Sequence, residues 1–293
     1  MKKLFYIFLI ALTKRLGVWI FRIISWFIAS FYFFFFPSRV WISIHFFRAL
    51  FPDRNFFYLI WSSWKQYHNF TSIFLDRFLL NDYGSISYTS EGLEYLEEAV
   101  SKGSGGIILM SHMGNWEIAA SLLSQKGMKM LLYMGEKQKE QIEQTQKESL
   151  KQKGIKIIAV AENGGSPLDI LDGIDFLKEG GLISITGDRI WRKDQRSISV
   201  RFLDHNIQIP ETPHIFAMLS GAPLFVFFAF MSGKKQYRIT ISEPMYINKA
   251  LRSERKQNII DSAQKYADLM EQKVRIYPHQ WYHFERFLGE KLT

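Results

Sequence analysis

The chain has no cysteine in its 293 residues. That absence excludes disulfides, thiolate metal sites and a thiol nucleophile, and it fits a reducing compartment. Linkers rich in glycine, serine or proline are missing, as are low-complexity tracts and internal repeats, so one large domain is expected. Three templates of ester and nucleotide chemistry are also absent: the G-x-S-x-G elbow, the G-x-x-x-x-G-K-[ST] loop and the G-x-G-x-x-G turn. No His/Asp cluster has metal-ligand spacing, so neither a metal nor another cofactor is expected.

What is present begins with a basic surplus, a formal net charge of +9. Such a surplus suits nucleic acid, anionic lipid or an acidic protein partner. The lysines and arginines are scattered and no nucleic-acid motif appears, which argues against nucleic acid. Residues Gly17 to Pro37 then run GVWIFRIISWFIASFYFFFFP, with Arg22 as the only charge. About 20 apolar residues suffice to span a bilayer. This stretch is expected to form a membrane-anchoring helix within residues 1–40, either spanning or lying in the interface on Trp19, Trp26 and Phe33 to Phe36. The alternative is a buried core helix. Lys14 and Arg15 precede it and Arg39 and Arg48 follow it, so the positive-inside rule assigns no orientation.

After about residue 85, short apolar runs alternate with amphipathic stretches. GGIILMS, KMLLYM, IKIIAVA, GLISITGD, ISVRFLD, APLFVFFAF and QYRITIS read as strands. NWEIAASLLSQKG, EKQKEQIEQTQKESLKQKG, SPLDILDGIDFLKEGG, ETPHIFAMLSG and Arg252 to Ile276 read as helices. Strands separated by helices imply crossovers and an α/β domain over residues 41–293, with a central, mostly parallel sheet covered on both faces. In such sheets functional groups gather at the carboxyl ends of strands.

Two strand ends carry chemistry. His112 follows GGIILMS, and SHMGNWE places Glu117 five positions on, in the first turn of the next helix, with Asn115 as its N-cap. A carboxylate that fixes an imidazole leaves the other nitrogen able to deprotonate a bound hydroxyl, so no Ser or Cys nucleophile is needed. The second is Asp188, ending GLISITGD, with Arg189, Arg192, Lys193 and Arg196 behind it: a loop suited to a phosphate or oxyanion, or simply a solvated charged loop. His205, His214, His279 and His283 are expected to be structural, and Phe225 to Phe230 a buried strand.

SHMGNWE resembles the H-x4-D/E motif of the lysophospholipid acyltransferase superfamily, in the SH.GNWE form of bacterial lipid A late acyltransferases. GLISITGDR, SVRFLDHNIQIPETPHIFAMLSGAPLFVFF and the terminal YPHQWYHFERF (similar to P.QW.W…RF) resemble further segments of that family in order, over nearly the whole chain. The resemblance implies a lysophospholipid acyltransferase-like fold. It also implies acyl transfer from acyl-carrier protein or acyl-coenzyme A to a hydroxyl or amine of a membrane lipid, most simply a lipid A-like glycolipid. His112 would be the base, Glu117 its orienting partner, and Asp188, Arg189 and Asn115 the support. The place implied is the cytoplasmic face of the inner membrane. Arg189 stands where the family commonly has Gln, and Lys151 and Lys153 lie where a family Arg is expected, so an amino-acid lipid or a pigment stays open as acceptor. A non-catalytic lipid binder or an acyl hydrolase on the same fold are the competing readings.

Overall fold

A computed structural model describes residues 12–13, 15–82, 87–135, 148, 150–151, 154–160, 167–190, 195–233, 235–248 and 252–292. The apolar N-terminal run forms one helix, and a second follows it at a sharp angle. Helix α1 (Val18–Phe35) and helix α2 (Pro37–Leu50) meet at Phe36 at an angle of 91°. Pro37 supplies the reason: its ring disfavours helical backbone at the residue before it, and it is tolerated at a first helical turn, where no N–H is needed. Phe36 accordingly leaves the helical region, with φ −122° and ψ 63°. Among the described residues no single helix is long and apolar enough to cross a membrane; only the bent pair together passes by length and composition. The anchoring helix expected within residues 1–40 corresponds to α1, and α2 follows it from Pro37. Both helices pack on α3 (Phe56–Asp82).

The remainder is a mixed α/β unit. In chain order it runs β1 (Ser87–Glu91), α4 (Leu93–Ser101), β2 (Gly106–Gly114), α5 (Trp116–Gln125), β3 (Met130–Gly135), β4 (Lys156–Val160), α6 (Pro167–Lys178) and β5 (Leu182–Thr186). It continues with β6 (Ser197–Phe202), β7 (His205–Pro210), α7 (Thr212–Ser220), β8 (Leu224–Gly233), β9 (Gln236–Ile241), α8 (Arg252–Ile276) and a 3₁₀ turn at Pro278–Gln280. A seven-stranded sheet has the order β1-β9-β8-β2-β5-β3-β4, and every pair is parallel except β8 with β9. Successive side chains of a strand point to opposite faces. Ile107 and Leu109 of β2 thus join a core with α2, α3, α7 and α8, while Ile108 and Met110 join a second core with α4 and α5. Covering both faces is why these strands are apolar throughout.

One expected strand lies elsewhere. ISVRFLD does not enter the main sheet: β6 forms a separate antiparallel hairpin with β7, packed on α8. Leu203 and Asp204 turn it with positive φ, as a two-residue hairpin turn requires. Most of the expected helix EKQKEQIEQTQKESLKQKG lies outside the described residues.

Candidate active site

Strands β2 and β5 are neighbours in the middle of the sheet, in register from Gly106↔Leu182 to Met110↔Thr186. Their carboxyl ends place His112 beside Asp188. Two glycines permit this. Gly114 has φ +68°, and a side chain there would put its Cβ 2.0 Å from the Ala229 carbonyl oxygen. Gly187 donates its N–H to the Met110 carbonyl at 2.8 Å, and a Cβ on it would meet the Leu109 side chain at 2.5 Å. Only a glycine lets the chain come this close just before Asp188.

Asp188 is fully buried and uses both carboxylate oxygens. Oδ1 lies 2.7 Å from His112 Nδ1. Oδ2 accepts the His112 backbone N–H at 2.7 Å and the Trp281 indole N–H at 3.2 Å. Burial by itself would raise this carboxyl. The neighbouring His112 charge, the bonds from His112 and the His283 ring outweigh it and hold Asp188 well below the usual carboxylate range. An ionised carboxylate only accepts, so Nδ1 of His112 carries a hydrogen and the neutral ring's lone pair sits on Nε2.

The C-terminal segment closes over this pair. The Tyr282 N–H bonds the His112 carbonyl at 2.9 Å, and Trp281 bridges Met113. The Gln280 side chain brackets the Met231 backbone with two bonds of 2.9 Å. His283 lies at right angles to His112, ring centres 6.0 Å apart, and burial lowers its pKa to about 4, which keeps it neutral at physiological pH. A cleft of about 480 Å³ opens beside Asp188 and His283, walled by Ser199, Asn206 and Gln208 of the hairpin and by Arg286.

The residues singled out from sequence fall as follows. His112 and Asp188 are in direct contact. Glu117 is buried in the first turn of α5, and the carboxylate at Nδ1 of His112 is Asp188. Asn115 holds the N-cap position of α5 without a capping bond; its side-chain N–H₂ points to the Tyr237 hydroxyl at 3.4 Å. Arg189 is mostly buried, 3.8 Å from Glu285. Arg196 is exposed, and Arg192 and Lys193 lie outside the described residues. Trp281 was not singled out and His283 was expected to be structural, although both stand in the terminal YPHQWYHFERF segment.

No curated protein matches the chain. The family model described as bacterial lipid A biosynthesis acyltransferase matches residues 73–288, a span that holds His112, Glu117, Asp188, Trp281 and His283. The chain therefore belongs to the bacterial lipid A biosynthesis acyltransferase family, and it is an acyltransferase acting on lipid.

Proposed function

We propose that the protein carries a fatty acyl chain from a thioester, acyl-carrier protein or acyl-coenzyme A, to a hydroxyl or amine of a membrane glycolipid of the lipid A kind, with His112 as general base. The observation that carries this reading is the His112–Asp188 pair, fixed through both carboxylate oxygens at the carboxyl end of a central strand. Nε2 takes the acceptor's proton as its oxygen attacks the thioester carbonyl carbon. Asp188 stabilises the imidazolium that results. Collapse of the tetrahedral intermediate breaks the C–S bond, and the leaving thiolate receives the proton back from Nε2. The net charge of +9 suits both an acidic carrier protein and lipid phosphates. The reaction is assigned to the cytoplasmic face of the inner membrane, where activated acyl donors are made.

Glu117 keeps a part in the proposal as a second buried carboxylate, at a helix N-terminus that favours negative charge. The test is transfer by the purified full chain. His112→Ala is expected to lower kcat/KM by roughly 10²–10⁴-fold. Asp188→Asn turns an N–H₂ towards Nδ1, forces the hydrogen onto Nε2 and is expected to cost as much. A His112→Ala enzyme that transfers at the wild-type rate would end this reading.

A further inference from the structure

Helix α1 buries a narrow stripe, Phe21, Ser25 and Ala29, spaced four residues apart, against α3. Trp19, Trp26, Phe27, Phe31, Phe34 and Phe35 of the same helix are exposed, the last two at 68% each. Phe57, near the start of α3, is 81% exposed. A contiguous aromatic surface of this kind marks an interaction site rather than ordinary surface. Tryptophans with phenylalanines on one side of a helix suit the boundary between headgroups and acyl chains.

The face is not purely apolar. Arg22 is exposed three residues after Trp19 and four before Trp26, so all three share one side of α1. That side walls a cavity of about 990 Å³ between α1, α3 and the β8–β9 turn. Among the described residues, Arg22 and Lys235 are the cations of its lining and Asp76 the sole carboxylate. Asp76 is buried and accepts the Tyr237 hydroxyl. Two cations against one buried, hydrogen-bonded carboxylate leave the cavity electropositive. Its volume is that of a site for a small organic ligand.

We propose that the aromatic face of α1 lies against a membrane leaflet and that the cavity under α1 takes the phosphate head of an anionic membrane lipid between Arg22 and Lys235. An arginine at the edge of an aromatic face reaches phosphates while its stem stays in apolar surroundings. The site is separate from His112, and the inference rests only on the protein's lipid-directed activity, not on the base mechanism.

The experiment uses the full chain and sealed vesicles of phosphatidylcholine, with and without phosphatidylglycerol, read by co-sedimentation. Wild type is expected to bind both and to prefer the anionic vesicles. Each basic group near an anionic surface contributes about fivefold, so R22Q/K235Q should lose about thirty-fold on anionic vesicles and nothing on neutral ones. Phe34→Ser with Phe35→Ser should weaken binding to both. Equal binding of R22Q/K235Q and wild type to anionic vesicles, or self-association in place of vesicle binding, would each overturn the proposal. R22Q/K235Q should still transfer acyl chains to detergent-dispersed acceptor at the wild-type rate, which separates this failure from a failure of the His112 mechanism.

Discussion

Asp188 binds both the backbone and the ring of His112, so it sets where the imidazole stands and which nitrogen carries its hydrogen. In the proposed mechanism, removing either partner disables the same proton transfer. Groups that act as a unit are strongly non-additive. The doubly substituted His112→Ala/Asp188→Asn enzyme is therefore expected to be no slower than His112→Ala alone, within about threefold. Multiplying losses would mean that Asp188 acts through something other than His112. Trp281 adds a third donor to the same carboxylate, from a segment 93 positions away in sequence.

Among the elements, the β2–α5 junction has little freedom. Gly114 combines a positive φ with contact against the Ala229 carbonyl, so Gly114→Ala strains the backbone and displaces β8 at once. Mutations of this class commonly cost more than about 3 kcal/mol. A thermal scan of Gly114→Ala should show a lowered Tm together with lost transfer; an unchanged Tm would show that the junction yields.

The elements also show what could be seen in the sequence and what could not. β2, β5 and β8 were plain, because a strand buried on both faces is a short apolar run bounded by glycine. β1, SYTSE, is mostly exposed and carries no such signal. β6 alternates as a sheet strand would, and only its partner reveals a separate hairpin. Glu117 stands near His112 in sequence, whereas Asp188, 76 positions away, arrives by the β2–β5 pairing, which strand order alone decides. His283 stands at the second tryptophan position of the P.QW.W pattern, but its place beside His112 follows from how the C-terminal segment folds back. Pro37 was visible as the end of an apolar run, and there it ends α1 and starts α2 at a sharp angle.

Over the whole molecule, burial of histidines makes stability depend on pH. His214, His279 and His283 are each lowered by burial to about 4 from an ordinary 6.5. Between those values the unfolded chain holds protons that the folded chain does not. Stability from this source is complete above pH ~6.5 and falls as the pH drops towards ~4. Asp188, held low, extends the loss to lower pH as it protonates; Asp76, which burial raises, works in the opposite direction. Thermal scans from pH 7 to pH 4.5 should show Tm falling throughout, and a flat Tm would contradict the neutral burial of these rings.

The whole molecule also joins a greasy, bent N-terminal face to an α/β unit that carries His112 at the end of a central strand. That arrangement fits an enzyme that meets its acceptor in a membrane and its donor in water. The most direct test of His112 as the base is lipid mass spectrometry of cells lacking the native protein and carrying either wild type or His112→Ala at equal abundance. One lipid class should lose a single acyl mass in the variant, which would identify acceptor and chain length together. Identical lipid profiles would contradict the assignment of His112.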